Sequence, residues 1–360
     1  MTKWGGCMKI KSGLLFSAVL AAACALLIFP AQASQGAQKG VGYSLNILIP
    51  SLYPFMVLSV FVVKSGLARK IGRALNRPTQ ALLRLPGEAA ASVLMSAIGG
   101  YPAGARSIAA LREEGLIDRD QAEQMVCFCV NAGPSFVITA VGVGFLKSAQ
   151  AGTILFVSQM ISFLLMGLLC GAAMGKRSRT LRKQESGPPI DAARALIASA
   201  SDAAYSTLMM CCFVILFASF MGLLRTAVKT RVPAAILSAA LEVTGGCSDL
   251  ASLRVPLWAV TLAIGWGGLC VHFQVLACLG DIPISRLRFA ACRLLQGMLS
   301  AAVCFGLTQL FPECAPVFSN ISGPVSAKFS GSIPSAAALA LMCLALLLNM
   351  PHEKLEIQEQ

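Results

Sequence analysis

Long apolar segments without charged residues constrain this chain more than any other feature. A helix needs about 20 apolar residues to cross about 30 Å of hydrocarbon, and several segments approach that length without an Asp, Glu, Lys or Arg. Charged residues make up only 12% of the chain, against roughly 25% in an ordinary soluble domain. We therefore predict an all-α polytopic membrane protein of about eight transmembrane helices. The predicted spans are 13–29, 41–63, 124–146, 151–175, 203–224, 255–280, 294–311 and 333–350.

The basic charge of the chain is concentrated in the loops between these spans. The formal net charge is +13, but loop charge of this kind sets membrane topology, so we predict the lipid bilayer and no nucleic acid as a partner. Most of the fourteen cysteines lie in apolar segments and no CxxC pair occurs. We predict no metal or other cofactor. No nucleophile–base pair or phosphate loop is present, which argues against an enzyme.

The distribution of Lys and Arg predicts which loops are cytoplasmic. Clusters follow the second and the fourth spans, at 64–84 and 176–183, and place the N-terminus on the same side. Arg225, Lys229 and Arg231 do not fit, because this topology puts them outside. The run near the N-terminus ends in Ala31-Gln32-Ala33. It is read as a retained first span, with a cleaved signal peptide as the alternative.

Two shorter apolar segments, 88–105 and 233–248, are each interrupted by Gly-Gly. We predict that both form re-entrant helical hairpins. Each hairpin belongs to a unit of a span, a hairpin, a Gly-broken span and a further span, and three crossings per unit invert the second copy. Such inverted repeats are typical of secondary transporters; chance similarity between Ala/Gly-rich helices is the alternative. The predicted regions are an N-terminal helix and loop (1–40), a first repeat (41–175), a basic loop (176–202), a second repeat (203–311) and a C-terminal helix and tail (312–360).

The first hairpin carries the sequence GGYPAGAR at 99–106. Lipid offers no hydrogen bonds, so this irregular backbone is expected to face a cavity. A helix restarting after Pro102 would aim free N–H groups into it, which suits an anion, and Arg106 adds a guanidinium. The alternative is that Arg106 reaches the lipid headgroups or pairs with Glu113 or Glu114. The predicted substrate-binding residues here are Gly100, Tyr101, Pro102, Gly104 and Arg106.

The second hairpin and the two broken spans supply the remaining candidates. Glu242 precedes the Gly-Gly pair, and an ionisable group there is a functional hypothesis for a coupling proton or cation, or a partner for Arg106; a solvated surface acid is the alternative. His272 and Gln274 lie on different helix faces, so at most one is expected to face the cavity. The alternative for the break at 131–135 is a Pro-kinked helix in which Asn131 satisfies the freed carbonyl groups. The alternative for His272 is a packed, hydrogen-bonded side chain. These candidates are Asn131, Gly133, Ser135, Glu242, Thr244, Gly245, Gly246, His272 and Gln274.

These motifs together resemble those of the sporulation integral membrane protein YlbJ family. The matching elements occur in order along nearly the whole chain: PSLYPF at 50–55, GGYPAGAR at 99–106, NAGPSF at 131–136, LEVTGG at 241–246 and GGLCVHFQ at 267–274. The family is built from the nucleoside recognition or gate domain, which is similar to parts of spore maturation proteins and of concentrative nucleoside transporters.

The resemblance implies a multi-pass protein of the outer forespore membrane, made in the mother cell of a spore former. It implies transport of dipicolinate, a pyridine dicarboxylate, which agrees with the anion site expected from the residues. A nucleoside transporter and a non-transporting scaffold for spore envelope assembly remain as alternatives. The sequence is also compatible with a homo-oligomer.

Overall fold

The computed structural model describes residues 16–17, 19–173 and 191–311, and within these ranges the chain is helical without strands. The predicted span at 333–350 and most of the predicted basic loop lie outside the described residues. In chain order the helices are α1 (Val19–Ile28), α2 (Pro30–Lys64), α3 (Leu67–Pro78), α4 (Ala89–Gly99), α5 (Tyr101–Glu113), α6 (Arg119–Phe128), α7 (Ser135–Phe145), α8 (Ala149–Ala173), α9 (Ala192–Ala227), α10 (Arg231–Leu241), α11 (Val243–Ser252), α12 (Leu257–Trp266), α13 (Gly268–Leu279) and α14 (Arg286–Leu310).

Five helical segments of the described chain are long and apolar enough to cross a membrane: α2, α8, α9, α12 with α13, and α14. Their outward faces carry large apolar side chains, such as Leu164 of α8 and Leu208 of α9, both about three-fifths exposed. Exposed apolar surface of this extent is what a bilayer covers. The fold is therefore that of a polytopic helical membrane protein, as predicted.

Helix α2 begins well before the predicted span at 41–63. Residues 30–40 are small and polar, so the apolar pattern did not include them. In the structure Gly36 lies against Ala218 and Gly40 against Ile215 of α9, with no space for a side chain on either glycine. Small residues let two helix backbones approach closely, and this antiparallel packing of α2 on α9 explains the longer helix.

The two predicted broken spans are interrupted in the structure. Residues 129–134 separate α6 from α7, which is wound as a π-helix. Gly267, with a φ of 82°, separates α12 from α13. Asp118 caps the N-terminus of α6, because Asp118 and Gln121 exchange both capping-box hydrogen bonds there.

Helices α4 and α5 form the first hairpin, and α10 and α11 form the second. Gly100 makes the first turn with a φ of 88° and a ψ of −169°, a combination that is essentially restricted to glycine. The second turn lies at Glu242, which has extended backbone angles. The prediction that Gly245 and Gly246 form this turn was wrong: they lie in the first turn of α11, where Gly246 packs against the backbone of Ala239.

Candidate functional site

The tips of the two hairpins meet at one small cavity, here called the central cavity. Its volume is about 20 Å³, space for about one water molecule. Both hairpins contribute the first residues of a helix, from α5 and from α11, and the break between α6 and α7 contributes Gly133. The lining residues are Leu48, Leu52, Gly100, Tyr101, Pro102, Gly133, Phe136, Val214, Glu242, Val243, Thr244, Val271 and Gln274.

Tyr101 is the first residue of α5 and is buried. Its hydroxyl group donates a 2.5 Å hydrogen bond to the carbonyl oxygen of Ile264, in the last turn of α12. A helix end releases carbonyl groups that need partners in an apolar environment, and Tyr101 supplies one. No side chain caps the N-terminus of α5, so the partial positive charge of this helix end lies beside the central cavity.

Glu242 lies across the cavity at the start of α11 and is 2% exposed. Its carboxylate accepts hydrogen bonds from the backbone N–H groups of Thr244, at 2.8 Å, and Gly245, at 2.6 Å. The side chain therefore caps its own helix. A carboxylate already occupies the anion-binding end of α11.

A larger pocket, the Asp202 pocket, has a volume of about 730 Å³. Asp202 of α9 receives hydrogen bonds from Lys64 at 2.7 Å and from Arg106 at 3.0 Å. Arg106 also binds Glu113 at 2.8 Å. The pocket is lined by Arg106, Arg112, Glu113, Asp202, Tyr205, Ser206 and residues 277–283, and among these described residues none lines the central cavity.

A third pocket, the Arg225 pocket, has a volume of about 380 Å³ and includes Glu242, which also lines the central cavity. Here Arg225 of α9 forms a 2.5 Å ion pair with Asp249 of α11. Asp202 and Arg225 lie 23 positions apart in α9, a rise of about 35 Å, which is comparable to the hydrocarbon thickness of about 30 Å. The two pockets thus lie at opposite ends of the apolar segment 203–224 of α9.

Among the described residues, no group of three or more His, Cys, Asp or Glu side chains is placed to hold a metal ion. The polar side chains that line the central cavity instead carry two hydroxyl groups, of Tyr101 and Thr244, one carboxylate and one carboxamide.

Comparison with known proteins gives one informative match. The chain is 27% identical over 333 aligned positions to the sporulation integral membrane protein YlbJ of Bacillus subtilis (strain 168), covering 81% of this chain and 82% of the relative. This similarity supports the YlbJ family. The relative's description and the apolar helices together identify a multi-pass integral membrane protein connected with sporulation. No family model matches the chain, and no solved structure matches it.

The structure places the family motif GGYPAGAR in two different surroundings. Gly100, Tyr101 and Pro102 line the central cavity. Gly104 does not; it packs against Ser96 and the carbonyl oxygen of Cys129. Arg106 lies in the second turn of α5 and faces the Asp202 pocket. It pairs there with Glu113, one of the two partners named as alternatives, and not with Glu242.

The NAGPSF motif contributes only its glycine and Phe136 to the cavity lining. Asn131 is fully buried and its Oδ1 accepts a 3.1 Å hydrogen bond from Gln296 of α14, while its Nδ2 has no partner in the described chain. Ser135 begins α7 without capping it. Asn131 therefore lies behind the cavity wall, at the break itself.

The motif GGLCVHFQ separates its two polar candidates as expected. Gln274 lines the central cavity, together with Thr244 from the second hairpin. His272 is packed between Trp266 and Phe289, with ring centroids 4.4 Å and 5.0 Å away, and its Nδ1 bonds the carbonyl oxygen of Gly268 at 2.8 Å. Gly245 lines the Arg225 pocket instead.

Sequence reasoning missed Arg293, the largest fully buried side chain of the described residues. It lies in α14 and donates hydrogen bonds to the carbonyl oxygens of Val130 and Gly265, and to Gln296 Oε1 at 2.8 Å. The predicted span began at residue 294 because we required spans without charged residues. That requirement left Arg293 just outside the span. The available signal was a polar stripe at helical spacing, Arg293, Gln296 and Ser300, within an otherwise apolar helix.

Proposed function

We propose that this chain is a sporulation membrane transporter that moves a small anion, dipicolinate, across the outer forespore membrane. One observation carries the proposal: the tips of two hairpins line a single central cavity, and two separate pockets lie at opposite ends of the apolar segment 203–224 of α9. A solute path across the membrane needs these three compartments. Dipicolinate itself comes from the family resemblance, whereas the geometry argues for the anion.

The proposed architecture is an inverted repeat of eight spans with two re-entrant hairpins. The first hairpin (α4 and α5) would enter from the cytoplasmic side, and the second (α10 and α11) from the opposite side. The antiparallel α2 and α9 support this arrangement, since each begins one unit. It also accounts for one of the three basic residues expected outside, because Arg225 is paired with Asp249.

Helix ends at the central cavity favour an anion. The first turns of α5 and α11 both line it, and helix N-termini carry partial positive charge and free N–H donors. Glu242 is an example of carboxylate binding at such a helix end, because its side chain accepts hydrogen bonds from two backbone N–H groups of α11. The end of α5 has no side-chain cap and is the proposed seat for a substrate carboxylate.

The central cavity is closed in this structure. Ligand sites usually enclose about 300–1,000 Å³, a range that includes the two flanking pockets but not the central cavity, at about 20 Å³. Substrate binding therefore requires the hairpin tips to move apart. Glu242 borders both the central cavity and the Arg225 pocket, so its side chain is the proposed barrier on that side, and the Arg106–Asp202 ion pair the barrier on the other.

Transport in reconstituted vesicles tests the proposal. Vesicles loaded with Tb³⁺, which luminesces when it chelates dipicolinate, report uptake directly. We expect uptake with the parent protein and clearly slower uptake with Arg106→Ala and Glu242→Gln. Arg112→Ala, which changes the same pocket but removes no carboxylate pair, is the matched control. Absence of uptake by folded parent protein would refute transport of dipicolinate, and unchanged uptake by both variants would refute the residue assignment.

The alternatives give different results. A nucleoside transporter would take up labelled uridine, and excess uridine would block dipicolinate. A scaffold would take up neither, and cells lacking it would load dipicolinate normally while showing cortex or coat defects.

A further inference from the structure

Arg293 is a buried cation without an acidic partner. It is fully buried in α14, and within the described residues no carboxylate oxygen lies within 4.0 Å of its guanidinium nitrogens. A charge inside an apolar helix bundle is costly and usually marks a functional position. The groups around Arg293 must therefore stabilise its positive charge.

Its oxygen ligands are neutral and come from two interrupted helices. One is the carbonyl oxygen of Val130, just beyond the end of α6, and another is that of Gly265, in the last turn of α12. The third is Gln296 Oε1. Each helix C-terminus carries about half a negative elementary charge, so two converging ends approximately balance one guanidinium. The two helices come from the two proposed repeats.

This shell is of the kind that binds a monovalent metal ion. In transporters with broken helices, the unwound carbonyl groups and the C-terminal helix ends coordinate the coupling cation. We propose that Arg293 is a tethered cation that occupies such a site, and thereby positions both breaks. Truncation of Arg293 to a small side chain would leave a carbonyl-lined site that accepts guanidinium or an alkali cation.

The position of Arg293 links it to the central cavity. Gly265, which it binds, follows Ile264, whose carbonyl oxygen is held by Tyr101. The guanidinium carbon also lies 5.8 Å from the centroid of the Tyr101 ring, within the range of a cation–π contact. Arg293 is thus a positioning residue: it acts on the cavity through the α12 break and the Tyr101 ring.

The relative stabilities of the parent protein and two variants test whether Arg293 acts through its charge or only by filling space. We expect the thermal midpoint of the purified protein to fall from parent to Arg293→Lys and further to Arg293→Met, because lysine keeps the charge and methionine does not. Arg288→Met, on the same helix with a side chain two-fifths exposed, is the control and should change little. An Arg293→Met protein as stable as Arg293→Lys would overturn the proposal.

Chemical rescue is the second measurement. Arg293→Ala should regain stability in millimolar guanidinium chloride, or in sodium or potassium chloride, and not in choline chloride at the same ionic strength. Arg288→Ala should respond equally to all of these salts. If Arg293→Ala does not fold alone, guanidinium present during purification should recover folded protein. Failure of every small cation to stabilise or recover Arg293→Ala would contradict a cation site.

A functional consequence rests on the proposed transport. With Arg293 in the cation position, dipicolinate uptake by the parent protein should continue unchanged when all sodium and potassium are replaced by N-methylglucamine. Loss of uptake in that exchange would contradict the consequence drawn here. No uptake in any salt would count against the proposed function, and the stability order would still judge the role of Arg293.

Discussion

The hydroxyl group of Tyr101 donates a 2.5 Å hydrogen bond to the carbonyl oxygen of Ile264. This bond joins the tip of the first hairpin to the broken helix of the second half of the chain. Tyr101 also lines the central cavity. One side chain therefore satisfies an interrupted helix and forms the wall of the proposed substrate site, so opening of the cavity and the integrity of the α12 break are coupled.

Replacement of Tyr101 by phenylalanine removes this hydrogen bond and leaves the carbonyl oxygen of Ile264 buried without its donor. An unsatisfied buried polar group costs about 1–3 kcal/mol. We expect Tyr101→Phe to lower the thermal midpoint in detergent, while Tyr205→Phe, at an exposed position of α9, leaves it unchanged. Equal midpoints for the two variants would show that the bond does not hold the helix end.

The cap formed by Glu242 predicts a graded loss of stability. Removal of a helix cap costs about 0.5–2 kcal/mol, and Glu242 is buried, so Glu242→Ala should lie at the upper end. Glu242→Gln keeps one acceptor oxygen and should lose less. Asp118→Ala removes the cap of α6 and provides the comparison. Thermal unfolding of the purified proteins measures the series, and a stable Glu242→Ala would argue against the cap.

The ion pair of Arg106 and Asp202 should show energetic coupling. A double-mutant cycle with Arg106→Gln and Asp202→Asn measures it, and contacting charged residues typically couple by about 0.5–3 kcal/mol. Because Asp202 also binds Lys64, Asp202→Asn should destabilise more than Arg106→Gln, since it leaves two cations facing each other. Additive effects of the two substitutions would contradict the pairing.

Gly100 is expected to tolerate no side chain. Its backbone angles are strained for any other residue, at about 1–3 kcal/mol, and an added Cβ would lie 3.0 Å from the backbone nitrogen of Gly133. Gly100→Ala should therefore reduce the yield and midpoint of folded protein. Gly42→Ala in α2, where a Cβ would meet no atom within 4 Å, should be neutral or slightly stabilising. A Gly100→Ala protein that matched Gly42→Ala would contradict the observed turn.

The apolar pattern predicted the helical membrane fold, and the Gly-Gly and Gly-Pro motifs predicted where helices are interrupted. These are local signals. The turn of the second hairpin was misplaced because two glycines are ambiguous: at Gly246 the glycine serves close packing against Ala239, while Glu242 makes the turn. Composition alone does not distinguish a glycine needed for a turn from one needed for contact.

The sequence pattern did not predict interactions between helices that are distant along the chain. Arg293 was assigned to a span boundary, although it lies inside α14 and binds two other helices. Asp202, the partner of Lys64 and Arg106, stands at the edge of an apolar segment and carries no motif. The sequence separated His272 from Gln274 by helix face, but only the packing of Trp266 and Phe289 identifies His272 as the packed residue.

A cryo-electron microscopy structure determined with dipicolinate bound tests the central claim most directly. We predict density for a pyridine dicarboxylate between the first turn of α5, at Gly100 to Pro102, and the first turn of α11, at Val243 and Thr244. The two hairpin tips should have moved apart relative to their positions without ligand. Hairpin tips that lie far from each other or in the headgroup region, or dipicolinate bound only elsewhere on the protein, would contradict it.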